Sequence, residues 1–371
     1  MHRNIRLPLL ASGILCGMAC SLLQRPAPSE SPASGAVPAV TSAEPAVPTA
    51  TAIPPSPTPE PDPIRFINRQ SYRVNSVWTV ANAGFAITEL RVYLPKPVDW
   101  DEQKDVRVTN TTPDGVKEGL NTVFGDEFFS WRLYNQPTVG KSVVFSTAFT
   151  FTAFETRTQI DPKNVSPYNR LSSLYKLYTR PEPYIESGDP EIRALADTVS
   201  GSETDPYLRA KKFYDYVVDT IRYQSVDGLI GAKAVLRSGA GECGDYSALF
   251  IALARAAGIP ARSVVGFWAI SGTDQAHVWA EFYLEDIGWI PVDPTVGQAQ
   301  REKDGVMEYY FGNMDNQRVI LSKGFNVRLE PSAPDGYVAP LVQTAFWWYW
   351  GSSGDGSRVT LDHTLWSVSR I

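Results

Sequence analysis

The sequence predicts an α+β protein, an N-terminal β-sandwich followed by a unit in which one helix packs on an antiparallel sheet. Three patterns carry that expectation. Residues 64–160 alternate apolar with polar or small side chains in short runs, the period of half-buried strands. Ala248 to Ala257 is a nearly unbroken apolar run of the kind that makes a buried helix. Beyond its Gly258-Ile-Pro260 exit, three successive runs alternate again: Ala261 to Ile270, His277 to Glu285 and Trp289 to Val292. A chain of 371 residues, 43% of them hydrophobic, is long enough to bury a core in each of two folded units.

The first twenty residues read as an export signal. His2, Arg3 and Arg6 make a basic start, Leu7 to Met18 is an apolar stretch interrupted by Pro8 and Gly13, and small residues approach Cys20. The stretch is too short for a membrane-spanning helix. Gly17-Met-Ala-Cys-Ser21 resembles the lipobox of bacterial lipoproteins, which implies lipidation of Cys20 and a membrane-anchored, extracytoplasmic protein in the cell envelope; ordinary cleavage near Ala19 is the other reading. Residues 21–63 are rich in Pro, Ala, Ser and Thr, cannot form a core, and read as a disordered tether. At about 3.1 Å per residue, such a tether reaches on the order of 100 Å from an anchor.

The formal net charge of −6, with no stripe of basic residues interleaved with aromatics, argues against nucleic acid as a partner. Of three cysteines, Cys16 and Cys20 fall in the signal, so the folded part, with Cys243 alone, has no disulfide.

Within residues 64–160, Tyr72–Val80, Ala86–Leu94 and Ser142–Phe154 are the clearest strands, and residues 110–115 and 136–140 supply turn chemistry. This region has no histidine and no cysteine, so its expected work is packing, spacing or substrate docking. Residues 161–371 are expected to form the second unit with a C-terminal extension. Pro190–Val199 and Pro206–Ile221 each place proline at a helix start after an aspartate cap, with Leu208, Phe213, Val217 and Ile221 on one helical face. Near the end, Phe346-Trp-Trp-Tyr-Trp350 is a dense aromatic block whose simplest reading is a packed strand; a membrane-interface belt and a carbohydrate-stacking surface are alternatives.

The chemistry centres on Cys243, set in Gly239-Ala-Gly-Glu-Cys-Gly-Asp-Tyr246 at the head of the apolar helix. A helix N-terminus favours thiolate over thiol, and the flanking glycines leave the sulfur approachable. His277 opens one strand and Asp293 closes another, so a fold can bring both to the sulfur as base and orienter. Glu281, on the same strand face as His277, competes with Asp293 for the orienting role. Asp245 is expected to be structural, satisfying free N–H groups at the helix start. Trp268, Trp279 and Trp289 read either as core or as an acyl-donor groove. Glu285-Asp286 is a solvated hairpin tip, and neither a metal nor any cofactor is expected.

These pieces resemble the transglutaminase-like superfamily of papain-like thiol enzymes. The matching segments are Tyr214-Asp-Tyr-Val with Ile221-Arg-Tyr223, Gly241-Glu-Cys-Gly-Asp-Tyr-Ser-Ala-Leu-Phe with Ala256-Ala-Gly-Ile-Pro-Ala-Arg262, His277-Val-Trp-Ala-Glu, and Gly288-Trp-Ile-Pro-Val-Asp-Pro-Thr295. The resemblance covers residues 205–295 and implies a papain/transglutaminase-like domain in which Cys243 is the nucleophile, His277 the acid and base, and Asp293 the orienting carboxylate. The oxyanion would take the Cys243 backbone N–H, with Tyr223 a candidate second donor. Three functions follow: a cysteine peptidase or amidase acting on protein or peptide, a crosslinking transglutaminase that passes the acyl group to an amine, and a non-catalytic envelope binding module.

Overall fold

The structure is a computed structural model that describes residues 62–270, 276–304 and 308–371. The expected signal, Cys20, almost all of the tether and residues 271–275, between the runs that end at Ile270 and begin at His277, lie outside the described residues. Six strands come first: β1 (Ile64–Asn82), β2 (Phe85–Lys96), β3 (Gln103–Thr112), β4 (Lys117–Leu120), β5 (Glu127–Tyr134) and β6 (Lys141–Thr158). Then follow α1 (Ser173–Thr179), α2 (Pro190–Ser200), α3 (Pro206–Thr220), β7 (Arg222–Tyr223), α4 (Ala232–Ser238), β8 (Ala240–Gly241) and α5 (Cys243–Ala256). The chain continues through β9 (Ala261–Trp268), β10 (Ala276–Leu284), β11 (Gly288–Val292), α6 (Pro294–Asp304), β12 (Arg318–Lys323), β13 (Val327–Arg328) and β14 (Val338–Ala339). It ends with β15 (Phe346–Gly354) and β16 (Val359–Arg370). No helix among the described residues is long and apolar enough to cross a membrane.

The strand-rich N-terminal region is a sandwich of two antiparallel sheets, ordered β16-β1-β6-β3 and β15-β2-β5-β4. Alternation along β1 buries Tyr72, Val74, Trp78 and Val80, which meet Phe145, Phe149 and Phe151 of β6 and, across the sandwich, Leu90 and Val92 of β2 and Phe129 and Trp131 of β5. The C-terminal extension returns to these sheets: β16 pairs with β1 and β15 with β2. The aromatic block is a packed strand, with Trp347 and Tyr349 in the sandwich core and Phe346 and Trp348 buried on the opposite face of β15.

The second unit centres on an antiparallel sheet ordered β11-β10-β9-β12. α5 lies on one face of it, its Leu249, Phe250 and Leu253 sharing a core with Val265, Val278, Ala280 and Phe282. The aspartate caps are present: Asp189 accepts from Glu191 N at the head of α2, and Asp205 from Leu208 N at the head of α3. The buried face of α3 is Ala210, Phe213, Tyr214, Val217 and Val218. Leu208, in the first turn of α3, is exposed and corrects the expected face.

Further along this sheet, Phe267 and Ala269 and the β12 residues Val319 and Leu321 enter the sandwich core. A buried ionic cluster also bridges the two regions. Lys323 Nζ donates to Glu102 at 2.5 Å and to Glu281 at 2.8 Å, Arg262 Nε donates to Glu281 at 2.7 Å, and the Lys323 backbone N–H donates to Asp126 Oδ1 at 2.9 Å. Three carboxylates thus share two cations away from water. Burial pushes the Asp126 carboxyl up to about 7, although the Lys323 N–H and the charges of Arg262 and Lys323 pull against it.

Candidate active site

Cys243 opens α5 because its neighbours form a capping box: Glu242 is the N-cap and Asp245, three residues on, returns its carboxylate to the Glu242 backbone N–H at 3.1 Å. The other oxygen of Asp245 accepts from Ile230 N at 2.9 Å and Gly231 N at 3.2 Å. Asp245 is therefore structural in a wider sense than the sequence predicted, since it also ties the 229–231 loop to the Cys243 turn. Burial raises its pKa against these backbone donors. A Cβ at Gly244 would stand 3.0 Å from Leu229 Cδ1, so a glycine after Cys243 lets that loop lie close. Cys243 is in no disulfide among the described residues and is 9% exposed.

The first turn of α5 is fastened to the start of β10. Ser247 Oγ lies 2.9 Å from the Cys243 carbonyl oxygen and 3.3 Å from that of Val278, one residue beyond His277. His277 pairs with Gly266 of β9, where a Cβ would be 1.8 Å from the Val319 carbonyl oxygen. Only glycine permits β12 to run this close to β9 at that point.

Asp293 serves two elements at once. Its Oδ1 accepts from Val296 N at 3.0 Å, capping α6 after β11, and its Oδ2 lies 2.7 Å from His277 Nε2 and accepts from Arg318 Nη1 at 2.6 Å. Burial disfavours its charge, but His277 and Arg318 outweigh that and hold the carboxyl well below the usual range. The helix α6 was not foreseen, because its sequence is polar and carries Gly297.

Of the other expected residues, Glu281 is not the orienter: Lys323 and Arg262 engage it and, against burial, hold it down at about 2. Trp268 and Trp279 both come to His277, with ring centroids 5.0 Å and 6.0 Å from the imidazole in near-parallel stacks. Trp289 does not; it lies under the Arg262 guanidinium, 3.8 Å from ring centroid to carbon, and against Tyr178. Tyr223 is on β7, paired in parallel with β8 at Gly241, and its ring packs 6.3 Å from that of Tyr246.

Arg318 is the site residue that sequence reasoning missed. Besides Asp293, it donates through Nε and Nη2 to Asp315 Oδ2 at 3.2 and 3.0 Å, and its guanidinium lies 4.4 Å from the Trp268 ring and 5.0 Å from that of Trp279. Its only signal was a charge at the head of an apolar run, Arg318-Val-Ile-Leu, preceded by Asp315. Among the described residues no group of three or more His, Cys, Asp or Glu is arranged to hold a metal ion.

Residues 193–294 match the transglutaminase-like superfamily. A protein-glutamine gamma-glutamyltransferase of Pseudomonas aeruginosa is 28% identical over 144 residues, 34% of this chain and 22% of that protein. An uncharacterised protein of Haemophilus influenzae is 31% identical over 188 residues, 40% of this chain and 49% of that one. The chain thus matches about half of one relative's length and far less of the other's. In three dimensions, a candidate cysteine protease from Cytophaga hutchinsonii superposes with a TM-score of 0.56 at 19% identity, over 83% of this chain and 92% of that one. This likeness extends the shared fold beyond the matched core. The capped helix α5, the antiparallel sheet and the family match together identify residues 193–294 as a transglutaminase-like core.

Proposed function

We propose that the protein is a thiol-dependent acyl-transfer enzyme that hydrolyses amide bonds in protein or peptide substrates, with Cys243, His277 and Asp293 as its catalytic groups. The observation that carries this reading is the buried His277–Asp293 pair at the start of β10, where the Cys243 turn is fastened. With Nε2 of His277 committed to Asp293, Nδ1 is the nitrogen that takes the thiol proton. The thiolate, favoured by the helix N-terminus, attacks the amide carbonyl carbon, and the Cys243 backbone N–H donates to the oxyanion. The C–N bond then breaks, and imidazolium gives its proton to the departing amine. Water attacks the thioester, its proton passing to His277, and the carboxylic acid leaves as the thiol re-forms.

The relative from Pseudomonas aeruginosa supports a second reading, in which an amine replaces water and an isopeptide bond results. In either case we place the enzyme outside the cytoplasm, lipid-anchored through Cys20 on the 21–63 tether. The test incubates purified wild type and Cys243→Ala with a mixed protein substrate and a labelled primary amine, read by mass spectrometry. Cysteine-dependent cleavage or deamidation without label supports hydrolysis; cysteine-dependent label supports transglutamination. Neither product, with Cys243 no more reactive than a free thiol, leaves a binding module.

A further inference from the structure

Arg318 occupies a place that the proposed acyl transfer does not by itself require. Four buried or nearly buried groups form a row, Asp315, Arg318, Asp293 and His277, each bonded to the next. Two carboxylates face one guanidinium, so the row carries a net negative charge while the imidazole is neutral and balances when it is protonated. The guanidinium is held on one edge by Asp315, on the other by Asp293, and against the faces of Trp268 and Trp279, the same two indoles that stack on His277. Asp315 is itself fixed by the Gln317 backbone N–H at 2.9 Å and the Tyr310 hydroxyl at 3.2 Å.

We infer that Arg318 is a positioning residue of this site: through the Asp293 carboxylate it fixes the plane of the His277 imidazole and limits how tightly the imidazolium keeps its proton. The inference rests on the acyl-transfer reading above. Without the guanidinium, two buried carboxylates would act on the imidazole together, and a proton held that firmly is slow to reach a leaving amine. A planar cation bonded along two edges also sets an orientation that a point charge cannot. The other titratable groups around the row are Cys243 at the start of α5, Tyr214 of α3 and Tyr310. Burial raises both tyrosines, which stay neutral through the working range.

The test is the rate at which iodoacetamide alkylates Cys243 in the full-length protein between about pH 5 and 10, followed on the Cys243 peptide. It needs no knowledge of the substrate. In the wild type, a thiolate–imidazolium pair gives a plateau bounded by an acid limb and an alkaline limb, the latter reporting loss of the His277 proton. Arg318→Met is expected to move the alkaline limb up by about one pH unit or more, the scale of one nearby charge. Asp315→Asn, which leaves Arg318 less compensated, is expected to move it down. Opposite shifts from two neighbouring variants are not a product of general loosening. If both variants fold and neither limb moves, Arg318 is only structural and the inference fails while the acyl-transfer reading stands. A wild type that shows only the single rise of an ordinary thiol overturns both. Should Arg318→Met not fold, Asp315→Asn decides alone: a downward shift supports the inference and an unmoved limb overturns it.

Discussion

The ammonium of Lys323 lies 2.8 Å from the carboxylate of Glu281, the two nearly excluded from solvent, and this pair joins the β11-β10-β9-β12 sheet to the sandwich because the same ammonium reaches Glu102. Replacing Lys323 with methionine keeps most of the side-chain volume but takes the cation from Glu102 and leaves Glu281 with Arg262 alone. Loss of one partner from such a pair costs about 3–5 kcal/mol, so Lys323→Met is expected to unfold at markedly lower urea concentration than the wild type. A midpoint within experimental error of the wild type would show that the cluster does not hold the two regions together.

The same cluster predicts a pH dependence of stability. Asp126 titrates from an ordinary 3.8 when unfolded to about 7 when folded, so between those values the folded state binds the extra proton. Stability therefore falls as pH rises from about 4 to about 7, by at most roughly 4 kcal/mol. The raised pKa of Glu102 acts in the same direction. Asp126→Asn removes this ionisation, and its unfolding free energy is expected to be flatter than that of the wild type over that window. Parallel profiles for the two proteins would contradict the assignment.

Asp245 supplies a prediction about the Cys243 turn. Asp245→Ala removes the acceptor of the Glu242, Ile230 and Gly231 amides, at a cost of about 2–3 kcal/mol, whereas Asp245→Asn keeps an acceptor and costs less. Hydrogen exchange at the Ile230 and Gly231 amides is the direct measurement. Both should exchange faster in the alanine variant, and unchanged rates would mean the loop is held by other contacts.

Gly266→Ala tests the close approach of β12 to β9. The added methyl meets the Val319 carbonyl, and since His277 pairs with Gly266 and Arg318 begins β12, two members of the His277 row are disturbed. A destabilisation of at least about 2 kcal/mol is expected, together with slower alkylation of Cys243. Calorimetry and the alkylation assay check the two effects separately; a variant that matched wild type in both would show that the strands can part there at no cost.

Local chemistry made much of this legible beforehand. Asp189-Pro190 and Asp205-Pro206 mark helix starts by capping geometry within a few residues, and the glycine-flanked Cys243 before an apolar run marks a helix head in the same way. Alternation located β9, β10 and β11 and with them His277. What escaped was set by strand order. Arg318 reaches Asp293 because β12 pairs with β9 on the far side from β10 and β11, an adjacency that no local period encodes. Glu281 shares a face with His277, as alternation says, but its partners come from β9 and β12, which alternation does not reveal. The return of β15 and β16 to the sandwich is hidden for the same reason.

That return gives the order of synthesis a role. Among the described strands β1 is made first, yet one of its two neighbours, β16, emerges last, after the whole β11-β10-β9-β12 sheet. Until then the long edge of β1 is open to any extended segment that meets it. A chain cut short by its last dozen residues would keep every group proposed for catalysis and lose the guard on that edge, so its expected failure is association between chains and not loss of chemistry.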